Sequence, residues 1–378
     1  MKRKIFIITE RRADYSKLRP IIREIQRSPS LDYYLVVTGS HLLKKYGYTI
    51  NEIKKDGFKI YTQFKMHTSN DDTASEMTRS FGNAIINLSR IIKKLKPDIV
   101  FAGFGIGANF ASAIIGAHMN IPVVHLEGGE VTGTIDESIR HATSKFAHIH
   151  FTTNLVAKQR LVKMGEDSKN IFIVGNPSLD AIKNVKNISV TKLEKEFKLD
   201  FDLPVVLLIQ HTVTSEIDKI DKYFLETVNA IKELNVQCLI ISGNSDAGSK
   251  KISAVIKKSK IQNHSNLPFN KYINLLRNCS VLVGNSSSGI MEAPFLHKPS
   301  VNIGARQNGR LKSTSIINVD YNKNRIKKAI KKALENKKTK NTKKQYRLYG
   351  DGNSSKKIVK LLEKIDLNKI SIQKKLTY

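Results

Sequence analysis

The chain has 378 residues, 40% of them apolar and 26% charged, with 64 lysines and arginines against 33 acidic residues for a net charge of +31. This length suits two domains of ordinary size, and no apolar run approaches the roughly 20 residues of a membrane span, so a soluble protein with no membrane partner is expected. Two cysteines, Cys238 and Cys279, supply neither a disulfide framework nor metal-ligand spacing, and the basic start MKRK runs into an apolar stretch too short for a signal-peptide core, so the expected compartment is the cytoplasm.

In chain order, the β-type runs of the first half are KIFIIT (4–9), YYLVVT (33–38), DIVFAG (98–103), PVVHLE (122–127), IHFTT (149–153) and IFIVG (171–175). Amphipathic stretches such as KLRPIIREIQ, SFGNAIINLSRIIKKL and ASAIIGAHM lie between them. GNPSLD and the charged stretch 183–202 break the rhythm, and alternation restarts with LPVVLLIQ (203–210), QCLIIS (237–242), CSVLVG (279–284) and PSVNIG (299–304). The pattern predicts an α/β protein of two doubly wound, Rossmann-like domains, residues 1–180 and 181–350, followed by a C-terminal helical segment, 351–378.

The basic cluster at 323–344, KNRIKKAIKKALENKKTKNTKK, raises nucleic acid as a partner. It keeps Ile326, Ala329, Ile330 and Ala333 at helical spacing, the pattern of a solvated amphipathic helix. Tryptophan is absent and no zinc, helix-turn-helix or RNA-platform motif occurs. The preferred partner is a small anionic substrate, not a nucleic acid.

Ligands of doubly wound sheets bind at the carboxyl ends of the strands, so the residues after each strand are the informative ones. TERRADYSKL brings Arg11, Arg12, Asp14 and Ser16 into a helix, and TGSHL brings Ser40 and His41. HLEGGEVTGTIDESIRHA concentrates His125, Glu127, Glu130, Asp136, Glu137, Arg140 and His141 around glycines. In the second half, QHTVT places His211 after a strand. GNSSSGIMEAP opens a helix with Ser286, Ser287, Ser288 and Gly289, and Glu292 lies one turn on. Backbone N–H groups and hydroxyls at such a helix start suit a diphosphate, and an acid one turn in suits ribose hydroxyls. An ordinary capped helix fits the same residues equally well. FAGFGIGANFAS, residues 101–112, carries alternating Gly103, Gly105 and Gly107 but no following acidic ribose partner, which makes it a weak nucleotide signature.

RADYSKL, GSHL, KPDIV, HLEGGEVTGTIDESIRHA, GNPSLD, QHTVT, DAGSK, GNSSSGIMEAP, GARQNGR and YGDGNSS together resemble the hydrolysing UDP-N-acetylglucosamine 2-epimerases of the sialic-acid-pathway branch, in the family's order from residue 11 to about 355. The resemblance implies a glycosyltransferase-B type fold, with the active site in the cleft between domains and C-terminal helices returning to the first domain. It implies loss of the sugar C2 proton and elimination of UDP, then hydration of the resulting glycal to N-acetylmannosamine, with no redox cofactor and no obligatory metal. It also implies a homo-oligomer, dimer or tetramer, though the residues themselves do not fix the assembly. By motif position, Arg12 and Ser16 face the nucleotide sugar, His211 contacts the diphosphate, and Ser286, Ser287, Gly289, Glu292 and Arg306 bind UDP. Glu127 and Asp136 are the expected proton-transfer carboxylates, with His125 and Arg140 lining the same pocket. Each has a plainer role open to it: Glu127 as partner of its own glycine turn, Asp136 as a helix N-cap, Arg140 as partner of either acid.

One departure stands out. The family's Gly-Asp-Arg motif falls on Phe104, Gly105 and Ile106, so a proposed acid and an arginine are both absent. Asp71 and Asp72 are candidates to replace the acid. Three functions therefore stand: an active hydrolysing epimerase on UDP-N-acetylglucosamine or a related UDP-amino sugar such as a diacetylated bacillosamine, a UDP-sugar-binding homologue with impaired turnover, and a different transferase on the same fold. The acidic segment argues against the third.

Overall fold

The computed structural model describes residues 1–69, 73–103, 105, 107–242, 248–264, 267–335 and 343–378. Asp71, Asp72, Phe104 and Ile106 lie outside the described residues. The chain divides into two compact units, one of Met1–Glu130, Ile135–Lys183 and Tyr349–Tyr378, the other of Val131–Thr134 and Asn184–Leu348.

The first unit is built on seven strands: β1 (Arg3–Thr9), β2 (Leu31–Val37), β3 (Ile60–Gln63), β4 (Ile99–Ala102), β5 (Val123–Leu126), β6 (Ile149–Thr152) and β7 (Ile171–Ile173). They pair in parallel in the order β3-β2-β1-β4-β5-β6-β7. The strands read as continuous apolar runs because helices cover both faces. Ile5, Ile7, Leu35, Phe101, Leu126 and Phe151 pack with Leu18, Ile21, Ile22 and Ile25 of the Arg12–Arg27 helix and with Ile358 and Leu362 of the Ser354–Lys364 helix. Phe6, Ile8, Val36 and Val100 turn to the other face, against Leu88 and Ile92 of the Ala74–Leu95 helix and Ala111 and Ile115 of the Ala108–His118 helix. Each fully buried side chain of this kind stabilises the fold by about 1.5–3 kcal/mol.

The second unit holds β8 (Val205–Ile209), β9 (Gln237–Ile241), β10 (Asn263–His264), β11 (Val281–Gly284), β12 (Ser300–Ile303) and β13 (Ile316–Val319), parallel in the order β10-β9-β8-β11-β12-β13. Its lysine-rich Lys323–Glu335 helix buries Ile326, Ala329, Ile330 and Ala333 against the sheet, as its spacing predicts. Among the described residues no helix is long and apolar enough to cross a membrane.

Strand order reverses between β1 and β4 in the first sheet and between β8 and β11 in the second. These two points are where open parallel sheets leave a crevice at the strand ends.

Candidate active site

In the first unit, β5 runs into Glu127, whose φ of +63° is left-handed although it has a side chain. Such strain costs about 1–3 kcal/mol and concentrates at functional sites. The turn is fixed by the Glu127 N–H, which donates to the Phe151 carbonyl at 2.8 Å. It also needs Gly129, where a Cβ would stand 2.2 Å from the Ala157 carbonyl oxygen. The Glu127 carboxylate is closed off from solvent and meets the Lys17 ammonium at 2.6 Å. Lys17 reaches it from the Arg12–Arg27 helix, which also carries Arg12 and Ser16.

Sequence reasoning passed over Lys17. Its signal is position: Asp14, Lys17, Leu18, Ile21, Ile22 and Ile25 form the buried face of one helix, and a lysine there needs a buried partner. Arg12 is half-buried; burial lowers the pKa of its guanidinium, with the Glu52 carboxylate partly offsetting the shift. The Ser16 hydroxyl donates to the Ala13 carbonyl of its own helix at 3.0 Å. Asp14 accepts from the Glu10 N–H at 2.9 Å, and burial pushes its carboxyl up to about 6.

The rest of the acidic segment divides. Arg140 is buried on the Asp136–Phe146 helix, with Nη1 at 3.4 Å from the Glu130 carbonyl oxygen. His125 is buried at 1% exposure, its Nδ1 at 3.1 Å from the Ser144 hydroxyl and its ring 6.5 Å from that of His150. Burial holds the His125 pKa well below the ordinary value, so the ring is a neutral imidazole. Asp136 is the first residue of its helix, and Ile135 occupies the cap without a side-chain bond. The capping role open to Asp136 is therefore not taken, and its side chain is half-buried. The Ser40 hydroxyl donates to the Glu10 carbonyl at 3.1 Å, and the His41 ring lies between the Thr9 and Thr49 hydroxyls at 3.0 and 2.7 Å, where burial drives its pKa down to about 3.

The alternating glycines serve neighbouring side chains. A Cβ at Gly103 would stand 2.7 Å from Asn109 Oδ1, one at Gly105 would stand 2.6 Å from Asn109 Nδ2 and 3.0 Å from Glu10 Oε1, and one at Gly107 would stand 2.4 Å from Glu10 Oε2. The glycines clear a space that Asn109 and Glu10 occupy. Glu10 is another residue that sequence reasoning missed, although it directly follows β1.

The second unit centres on Asn285, directly after β11. Its side-chain oxygen accepts from the His211 N–H at 2.6 Å, its Nδ2 donates to the His211 carbonyl at 2.9 Å, and its own carbonyl accepts from Arg306 Nη1 at 3.2 Å and Gln307 Nε2 at 2.8 Å. One asparagine thus joins the QHTVT, GNSSSG and GARQ loops at the switch point. Gly284, at φ +126°, permits it: a Cβ there would lie 2.0 Å from the Ile209 carbonyl oxygen. Around this clamp the buried atoms Thr212 Oγ1, Gln210 Nε2 and Gln307 Oε1 make no hydrogen bond among the described residues. Buried polar groups of that kind suit a polar ligand.

Ser287 is the N-cap of the Ser288–Phe295 helix without a side-chain cap bond, and Ser286 precedes it. Glu292 accepts from the Ser288 hydroxyl, which also meets the Tyr272 hydroxyl. Gly289 is not forced to be glycine, since a Cβ would find Ser300 only at 3.5 Å. Within the same unit, Val131–Thr134 packs on the GARQNGR loop: Arg310 Nε donates to the Val131 carbonyl at 2.9 Å and Gly133 N–H to the Arg306 carbonyl at 3.0 Å.

The profile of one family, UDP-N-acetylglucosamine 2-epimerase, matches residues 23–363. A UDP-N,N'-diacetylbacillosamine 2-epimerase (hydrolyzing) of Legionella pneumophila is 37% identical over 374 residues, covering 97% of this chain and 97% of its own. A UDP-N-acetylglucosamine 2-epimerase of Neisseria meningitidis is 35% identical over 336 residues, covering 88% of each chain. The crystal structure of UDP-GlcNAc 2-epimerase from Neisseria meningitidis bound to UDP-GlcNAc superimposes with a TM-score of 0.80 at 19% identity, covering 96% of this chain and 100% of that one. At that identity the likeness speaks for the fold.

Proposed function

Since the chain belongs to the UDP-N-acetylglucosamine 2-epimerase family, we propose that it is a hydrolysing 2-epimerase that converts UDP-N-acetylglucosamine, or a UDP-diacetylbacillosamine, into the free 2-epimer and UDP for nonulosonic acid synthesis. The observation that carries the reading is the Glu127 carboxylate, set at a strand end on a strained backbone and paired with Lys17. Epimerisation at C2 with loss of UDP needs groups that move protons at C2 and at the attacking water. Glu127 and Asp136 are assigned to proton transfer, and Arg140 holds the segment that carries them. In the second unit, His211, Arg306 and the start of the Ser288–Phe295 helix, with Ser286 and Ser287, are assigned to the diphosphate, where donors stabilise the departing charge. Glu292 is assigned to the ribose, which requires its Ser288 contact to exchange.

The binding-only alternative rested on the bare position 105. Relatives of near full-length coverage with epimerase names weigh against it.

Incubation with each UDP-amino sugar, followed by NMR, tests the proposal. Free UDP together with free N-acetylmannosamine, or its diacetylated analogue, is the expected result. A product that keeps its nucleotide would overturn the hydrolysing reading, and unchanged substrates would overturn the enzymatic one.

A further inference from the structure

Glu10 follows β1 directly, and its carboxylate lies against the residues that follow β4, at the point where the first sheet reverses its strand order. Crevices at such points receive the ligands of open parallel sheets. Gly107 N–H donates to Oε1 at 3.2 Å and Ala108 N–H donates to Oε2. The side chain keeps 8% of its surface exposed, whereas Glu127 keeps none. Beside it Asn109 is wholly buried, and its Nδ2 has no hydrogen-bond partner among the described residues. That Nδ2 and Glu10 Oε1 are the two atoms a side chain at position 105 would strike. The Asn109 Oδ1 accepts from the Gly103 N–H at 2.8 Å, so a carboxylate and an amide nitrogen without a partner among the described residues share the glycine-cleared space.

We propose that Glu10 is a proton-transfer carboxylate of the active site, occupying the space that a side chain at position 105 would otherwise fill. The inference rests on the elimination and hydration reading given above. Two backbone N–H donors at the helix start fix the position of the Glu10 carboxylate, and a positioned carboxylate can act as a base. Glu10 takes the proton from sugar C2, the C–H electron pair becomes the C1–C2 double bond, and the C1–O bond breaks with its pair on the phosphate oxygen of UDP. Glu10 then releases the proton to solvent. In the hydration step, Glu127 takes a proton from the water whose oxygen bonds to C1, the C1–C2 electron pair takes a proton from the protonated Asp136 at C2, and proton exchange with solvent resets both carboxyls.

A carboxylate that only caps the Ala108–His118 helix would make a different set of predictions. The test measures kcat, KM, UDP affinity and thermal unfolding for the full chain and for Glu10→Gln, Glu10→Gly and Glu10→Gly with Gly105→Asp. Glu10→Gln is expected to lower kcat by about 10²- to 10⁴-fold and to leave KM and UDP affinity within about threefold. The double variant, with its carboxylate moved across the glycine-cleared space, is expected to regain at least about tenfold in kcat over Glu10→Gly.

A folded Glu10→Gln enzyme with wild-type kcat, or with a lower melting temperature alone, would overturn the proposal, as would a folded double variant no faster than Glu10→Gly. If Glu10→Gly does not fold, Glu10→Gln decides. A wild type that releases no UDP would instead sink the elimination reading itself, and this inference with it.

Discussion

Lys17 and Glu127 face each other at 2.6 Å, one from a helix and one from a strand end, both nearly or wholly withdrawn from solvent. An exposed pair of this kind would contribute little, but removing one partner of a buried pair strands a charge and costs about 3–5 kcal/mol. Lys17→Met should therefore destabilise the first unit by about that amount in urea unfolding. Adding Glu127→Gln should recover part of the loss. Strictly additive losses would show that the two side chains do not act as a pair.

The same carboxylate carries a kinetic prediction. Glu127→Gln keeps the size of the side chain and removes the carboxylate proposed for proton transfer, so formation of the free 2-epimer should fall by about 10²- to 10⁴-fold. UDP affinity, measured by titration calorimetry, should stay near wild type. Loss of UDP binding would place Glu127 among the nucleotide contacts instead.

Most strands legible in the sequence carry apolar runs buried on both faces, and β7, an edge strand with Ile173 exposed, is legible from its apolar run alone. β3, β10 and β13 were not legible, and all three are sheet edges. Ile60–Gln63 alternates half-buried and exposed residues, and Asn263–His264 is two residues long, so neither carries the hydrophobic period that marks a strand. Among the candidate site residues of each unit, motif resemblance reaches Glu127 in the first and His211 and Arg306 in the second, but not the residues that hold them. Asn285 is an unremarked member of GNSSSG, and its importance comes from reaching His211 across 74 positions of sequence. Glu10 and Gly105 were separated in the same way. The bare glycine was visible in the sequence, while the carboxylate beside it came from another strand.

Asn285 is accordingly the residue of the second unit whose truncation should tell most. Asn285→Ala leaves the His211 N–H and carbonyl without their partner, which costs about 1–3 kcal/mol where those groups stay buried, and it frees the loop that carries the imidazole. UDP affinity should fall by about tenfold or more, while chemistry at saturating substrate changes less. Calorimetry with UDP alone separates the two effects. An unchanged UDP dissociation constant would remove QHTVT and GNSSSG from the nucleotide site.

Acid should weaken the first unit through its buried imidazoles. His41 is pushed down to about 3, His125 is held well below its ordinary value, and His150 is lowered by burial although Glu166 at 3.0 Å pulls the other way. Each imidazole binds a proton more readily in the unfolded chain, where the pKa is about 6.5, so stability is lost as pH falls below that value. Between pH 7.5 and 5.5 His41 contributes a loss of about 1 kcal/mol, and His125 and His150 act in the same direction. Asp14 opposes them: its carboxyl is raised to about 6, so the folded chain holds that proton more tightly and gains about 1 kcal/mol over the same interval. His67, His141 and His148 are lowered by burial as well, so the net expectation is a loss of stability on acidification, read from urea unfolding at the two pH values. His41→Gln takes one imidazole out of the titration and should flatten the slope. A stability that is level or rising on acidification would mean that these rings are not held neutral.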